Sequence, residues 1–160
     1  MASYSKREKC LIFVFSLLLA YVVEWTASYF TQHSVGSWYI RLEKPFWTPP
    51  NLTFPIAWTL LYTLIGISLA LVICSRPLHK RKLYVSYGVQ LFLNFLWSFS
   101  FFYLESALLG LVNIVLLLFA IVWNIYEFKR CSKWAAWLLY PYFLWVLYAS
   151  TLNFAIWCLN

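Results

Sequence analysis

Acid is what this chain has least of. It contains no aspartate, and its five carboxylates are the widely scattered Glu8, Glu24, Glu43, Glu105 and Glu127. No acidic cluster exists, and no nucleophile–base pair, metal-ligand cluster or nucleotide motif can be assembled from the residues in order. Ordinary hydrolysis and redox catalysis therefore have no apparatus, and no catalytic residue and no metal ligand is assigned. Charge of either sign is scarce, at 11% of residues against 64% hydrophobic, and mean hydropathy is +0.74. A soluble domain of 160 residues needs far more charge to cover its surface. The four cysteines (Cys10, Cys74, Cys131 and Cys158) have no metal-like spacing and read as free thiols.

What the chain does have is apolar length. Five runs, Leu11–Phe30, Leu52–Cys74, Leu83–Leu104, Ser106–Tyr126 and Trp134–Cys158, approach or exceed the ~20 residues that cross a hydrocarbon core. Runs this long, without alternation, satisfy their backbone in lipid only as helices. The fold expected is all-α: one domain over residues 1–160, a polytopic bundle of five transmembrane helices, with residues 31–51 forming an aromatic, proline-rich lid between the first two. The first run has a basic flank like a signal peptide, but it continues through Tyr21-Val22-Val23 to Phe30 without a small-residue cleavage site. A retained anchor is expected.

The formal charge of +7 does not point to nucleic acid, because the cations sit between apolar runs rather than in one patch. Lys6, Arg7, Lys9, Arg76, Lys80, Arg81, Lys82, Lys129, Arg130 and Lys133 fall on one side of the membrane; only Arg41 and Lys44 fall on the other. That asymmetry puts the N-terminus in the cytoplasm and the C-terminus and lid outside. A bacterial inner membrane fits better than an organellar one. His33 and His79 then lie on opposite sides and cannot together ligate a haem iron or zinc. Glu24 is the odd residue of the first span, read as a protonated or paired side chain facing the bundle or a headgroup.

The chain is organised around Trp38 to Tyr62, WYIRLEKPFWTPPNLTFPIAWTLLY. Pro45, Pro49 and Pro50 cannot sit inside a spanning helix, so this stretch reads as a stiff segment feeding a helix that Thr48 or Asn51 can cap. Trp58 and Tyr62 are one turn apart and share a face. On the third span Gln90, Asn94, Trp97 or Ser98, and Phe101 form one stripe, expected to face the interior because unpartnered polar groups are costly in lipid. On the fifth, Trp145, Ala149 and Asn153 share a face, and Pro141 is placed to kink the inner end. Gly66 and Ala70 form a small-xxx-small pair suited to close helix contact. Trp25, Trp38, Trp47, Trp134 and Trp157 read as interfacial belt residues, whereas Trp58, Trp97 and Trp145 lie deeper.

Three strings carry a family likeness: Trp38-Tyr39 with Leu42-x-Lys44-Pro45-x-Trp47-x-Pro49-Pro50 and Trp58-x-x-Leu61-Tyr62; Gln90-x-x-x-Asn94-x-x-Trp97 ending in Phe101-Phe102; and Leu138-Leu139-Tyr140-Pro141-Tyr142-x-x-Trp145 leading to Leu152-Asn153-x-x-x-Trp157. From about Trp38 to the C-terminus the chain resembles the TspO/MBR family, the tryptophan-rich sensory protein / translocator protein (peripheral benzodiazepine receptor) type. The resemblance implies a pocket opening toward the lid, lined by Tyr39, Pro49, Trp58, Asn94, Trp97, Ser98, Phe101, Trp145 and Ala149. It also implies a receptor or transporter for a protoporphyrin-type tetrapyrrole or similar flat apolar ligand, tied to porphyrin metabolism or stress, with no required cofactor. The alternatives are light- and oxygen-dependent porphyrin degradation through pocket tryptophans, and a homodimerising bundle that associates through Gly66 and Ala70. The animal members' sterol motif is not matched, since Phe154 replaces its tyrosine and no basic residue follows Lys133.

Overall fold

The structure is a computed structural model that describes residues 4–77 and 80–160; His79, placed above on the opposite side of the membrane from His33, lies outside the described residues. Every regular element among the described residues is helical: α1 (Lys6–Val35), α2 (Trp38–Arg41), α3 (Thr53–Cys74), α4 (Lys80–Ser98), α5 (Ala107–Lys129), α6 (Lys133–Trp137) and α7 (Tyr140–Leu159). A π-helical turn, Phe99–Tyr103, continues α4. Five helical stretches are long and apolar enough to cross a membrane, the last being α6 and α7 together.

The helix ends differ from the hydropathy boundaries for local reasons. The first helix is longer than Leu11–Phe30 because Ser5 and Glu8 close a capping box that starts it at Lys6, five residues before the apolar run. Its polar C-terminal turns also stay helical through Ser34 and Val35. Residues expected in a lid are thus partly helical, and α2 adds one more turn. Neither Thr48 nor Asn51 caps α3. Leu52 occupies that position with no side-chain bond, and Thr48 instead closes a turn by donating to the Pro45 carbonyl at 2.8 Å. The last span is broken into two helices just before Pro141, which sits in the first turn of α7 where a missing N–H costs nothing.

The helices form a ring in which α1 lies between α3 and α4, α4 against α5, α5 against α7, and α6 and α7 close back on α3. The close pair is α1 and α3. At Gly66 a Cβ would come 3.0 Å from the Leu17 Cα and 3.2 Å from the Ser16 carbonyl. Gly66 and Ala70 are therefore buried within this bundle, which removes the proposed role for them as a dimer surface. Polar clasps hold the ring where the hydrophobic effect is weak. Tyr21 and Thr63 join α1 to α3 at 2.7 Å, Ser68 donates to the Ala135 carbonyl of α6 at 2.7 Å, and Asn124 of α5 donates to Ser86 of α4 at 3.0 Å.

Candidate functional site

The stripe on α4 turns inward as its polarity requires. Gln90, Asn94, Trp97, Ser98 and Phe101 are all buried. Asn94 donates to the Tyr142 hydroxyl at 2.7 Å, and the Trp97 indole N–H to Asn153 at 2.8 Å, so α4 grips α7 through two buried bonds. Past Ser98 the π-helical turn changes the angular step, and two successive rings, Phe101 and Phe102, both point into the bundle. Phe101 stacks on Trp97 at 5.8 Å and 14°. It can do so because α5 presents Gly110 there; a Cβ on Gly110 would meet the Phe101 ring at 2.6 Å.

Above this turn the connection from α1 to α3 folds over the bundle end. Tyr39 is buried, tilted against Phe102 at 5.6 Å, and Trp38 packs edge-on against Phe101 at 5.4 Å, half-buried rather than in an interfacial belt. The connection is fastened to α7. The Tyr148 hydroxyl donates to the Trp47 carbonyl at 2.7 Å, and the Asn160 amide both accepts from the Glu43 N–H (3.0 Å) and donates to its carbonyl (3.1 Å). Lys44 lies over the Tyr39 ring at 4.5 Å. Burial, with Tyr148 nearby, holds the Tyr39 phenol above its ordinary range, so it remains a neutral hydroxyl. Burial lowers the Lys44 ammonium.

Beneath Tyr39, between α1, α3 and α4, is a cavity of about 320 Å³. From α3 it is walled by Phe54, Trp58 and Tyr62; from α4 by Asn94, Trp97 and Ser98, with Phe102 above them. The wall from α1 is a stripe of small and polar residues, Glu24, Ala27, Ser28, Thr31 and Val35. Trp58 and Trp97 pack against each other with ring centroids 6.1 Å apart and planes tilted by 36°. Glu24 is on this wall and accepts a hydrogen bond from Thr59 at 2.8 Å. Gln32, Asn51 and Pro55, all exposed, rim the mouth.

Of the residues singled out in the sequence, Tyr39, Trp58, Asn94, Trp97 and Ser98 come together on this wall. Phe101 stands directly behind it, against Trp97 and Phe102. Pro49, Trp145 and Ala149 are not on the wall. Trp145 packs edge-on against the wall residue Phe54 at 6.1 Å, with its indole N–H buried and without a partner among the described residues. The α1 stripe was missed, although its signal was there to read: Glu24, Ala27 or Ser28, Thr31 and Val35 recur at helical spacing. Among the described residues no group of three His, Cys, Asp or Glu is placed to hold a metal ion, and the four cysteines are free.

The arrangement suits binding: a concave hollow with aromatic rings from α2, α3 and the end of α4 and convergent polar groups from α1 and α4. Comparison with known proteins agrees with the motifs. The TspO/MBR family matches residues 15–158. The chain is 46% identical over 147 residues to the tryptophan-rich protein TspO of Archaeoglobus fulgidus, covering 92% of this chain and 95% of that protein. It is 43% identical over 145 residues to the protein of the same name from Chlorobaculum tepidum, covering 89% and 91%. With the human translocator protein it shares 33% identity over 123 residues, covering 75% and 73%. Five apolar spans, the three motif strings and this extent of similarity make the chain an integral membrane protein of the TspO/MBR family.

Proposed function

We propose that this protein is a membrane receptor or transporter that binds a protoporphyrin-type tetrapyrrole, or a similarly flat apolar molecule, in the cavity beneath Tyr39. The observation that carries the reading is the adjacent pair of indoles lining the cavity, Trp58 of α3 and Trp97 of α4, with centroids 6.1 Å apart and planes tilted by 36°. Two such faces offer dispersion contact to a planar guest while the polar side chains opposite fix its orientation. At about 320 Å³ the hollow is near the lower end of ligand-pocket sizes. A macrocycle therefore enters edge-first, with an acidic substituent toward the lid cation Lys44, which lies over the Tyr39 ring. The lid excludes water from the inserted edge. The name of the human relative, translocator protein, is in keeping with binding or passage.

The ten-to-two division of Lys and Arg supports a cytoplasmic N-terminus and an outer lid, in a bacterial inner membrane. The test of function is titration of the purified protein with protoporphyrin, read by tryptophan fluorescence in the dark. Saturable quenching that weakens about tenfold in Trp58→Leu is expected. Absence of saturable binding overturns the reading. The same titration under illumination separates binding from breakdown: a new absorbing product, formed only in light and missing in Trp58→Leu, would replace the receptor with a degrading enzyme.

A further inference from the structure

We propose that the inner floor of the cavity selects its guest: Glu24, helped by Tyr62 and Asn94, receives a protonated nitrogen on a flat aromatic molecule. The inference rests on reading this cavity as a ligand site, but not on the tetrapyrrole. The three residues share one depth. On α1 the wall runs from Glu24 to Val35, about 16 Å along the axis, with Gln32 at the mouth, so Glu24 is its inner end. Tyr62 ends the α3 wall that begins at Phe54, and Asn94 begins the α4 wall that ends at Phe102. Successive spans alternate in direction, so these too are inner ends.

What this floor offers is acceptors. Glu24 Oε1 takes the Thr59 hydroxyl at 2.8 Å. No Lys or Arg neutralises the carboxylate, since the one ion pair among the described residues joins Arg130 to Glu127. Asn94 spends its amide donor on the Tyr142 hydroxyl at 2.7 Å, which leaves its carbonyl oxygen without a donor among the described residues. The Tyr62 side chain is 2% exposed, and its hydroxyl has no partner there either. Buried acceptors without donors are costly in lipid. A guest that brings N–H groups satisfies them together.

Clasping two helices does not explain the carboxylate. One turn further in, Tyr21 and Thr63 join α1 to α3 at 2.7 Å through neutral hydroxyls, and Thr63 donates on to the Thr59 carbonyl. What an acid adds is charge, and its complement is a cation. The rings above suit the same guest. Trp58 packs against the floor residue Tyr62 at 5.9 Å, and indole faces attract cations as well as planar rings. Lys44 at the lid repels a cation, which leaves the Glu24 end as its place. At about 320 Å³ the cavity is small for a macrocycle but holds two or three fused rings whole.

The purified full chain in nonionic detergent is titrated with proflavine, a flat three-ring cation at neutral pH, and with anthracene, its neutral counterpart. Apparent Kd is read by equilibrium dialysis against protein-free detergent. Wild type is expected to bind the cation about tenfold more tightly. Glu24→Gln keeps an acceptor for Thr59 and is expected to lose that margin with anthracene binding unchanged. Tyr62→Phe is expected to narrow it about threefold, and Trp58→Leu to weaken both probes, which locates them in the cavity. Equal affinity for the two probes in wild type overturns the inference, as does a margin that survives in a folded Glu24→Gln. If that variant does not fold, Tyr62→Phe decides, since it removes only an unpartnered hydroxyl; an unaltered margin there is the overturning result. The two readings fail separately: protoporphyrin binding without a proflavine margin sinks this one alone, and the margin without protoporphyrin binding sinks only the tetrapyrrole.

Discussion

Trp58 and Trp145 look equivalent in the sequence, each a deep tryptophan in a family string, yet the fold separates them. Trp58 is on the cavity wall, and Trp145 is one layer back, against Phe54. Trp58→Leu should therefore weaken porphyrin quenching about tenfold, and Trp145→Leu by no more than about threefold, measured as apparent Kd from fluorescence titration. The difference was not legible because both residues satisfy the same inward-facing pattern. Which ring reaches the hollow depends on how far α7 stands from α3, a distance no single helix encodes. Asn153 is a contrasting case. Its inward position was readable from spacing, and the structure adds that it receives the Trp97 indole N–H at 2.8 Å. Asn153→Ala leaves that donor buried without an acceptor and should cost about 1–2 kcal/mol, read as a lowered midpoint of thermal unfolding in detergent.

At the scale of elements, the π-helical turn after α4 depends on the absence of a side chain on α5. Gly110→Ala would drive a Cβ to 2.6 Å from the Phe101 ring and 2.9 Å from its Cβ, an overlap that flexing a ring end cannot relieve. The expected loss is about 1–3 kcal/mol, with loosening of Trp38 and Tyr39, which rest on Phe101. Gly88→Ala on α4, where nothing lies within 4 Å, should instead be neutral or raise stability by about 0.5–1 kcal/mol through helix propensity. Parallel melting curves of the two variants check both signs. The five spans themselves were plain from apolar length, and the break near Pro141 from that residue's missing N–H. The ends of α1 were not, because hydropathy marks where lipid contact stops, whereas the capping box and the polar turn to Val35 mark where hydrogen bonding stops. The π-helical turn had no sequence signal, since Phe99 to Tyr103 is as apolar as an ordinary helix end.

For the molecule as a whole, the two ends can be told apart chemically with residues it already has. Cys10 and Cys158 are both exposed, near opposite ends of the bundle. In intact bacterial cells, single-cysteine variants should label with a membrane-impermeant maleimide at Cys158. Cys10 should label only after permeabilisation. The reverse result would invert the topology derived from the Lys and Arg count. The ring of helices was the least legible feature, because which helix neighbours which is settled by sparse clasps such as Tyr21–Thr63 and Ser68–Ala135 that single-helix patterns do not announce. The 30 residues of α1 bear on how such a protein meets its guest. At about 45 Å, that helix outruns a ~30 Å hydrocarbon core, and its surplus includes the turns that form the cavity rim. The entrance is therefore set among lipid headgroups and their water, so an amphiphile can hand over its oily edge while its acidic groups never leave a wet layer.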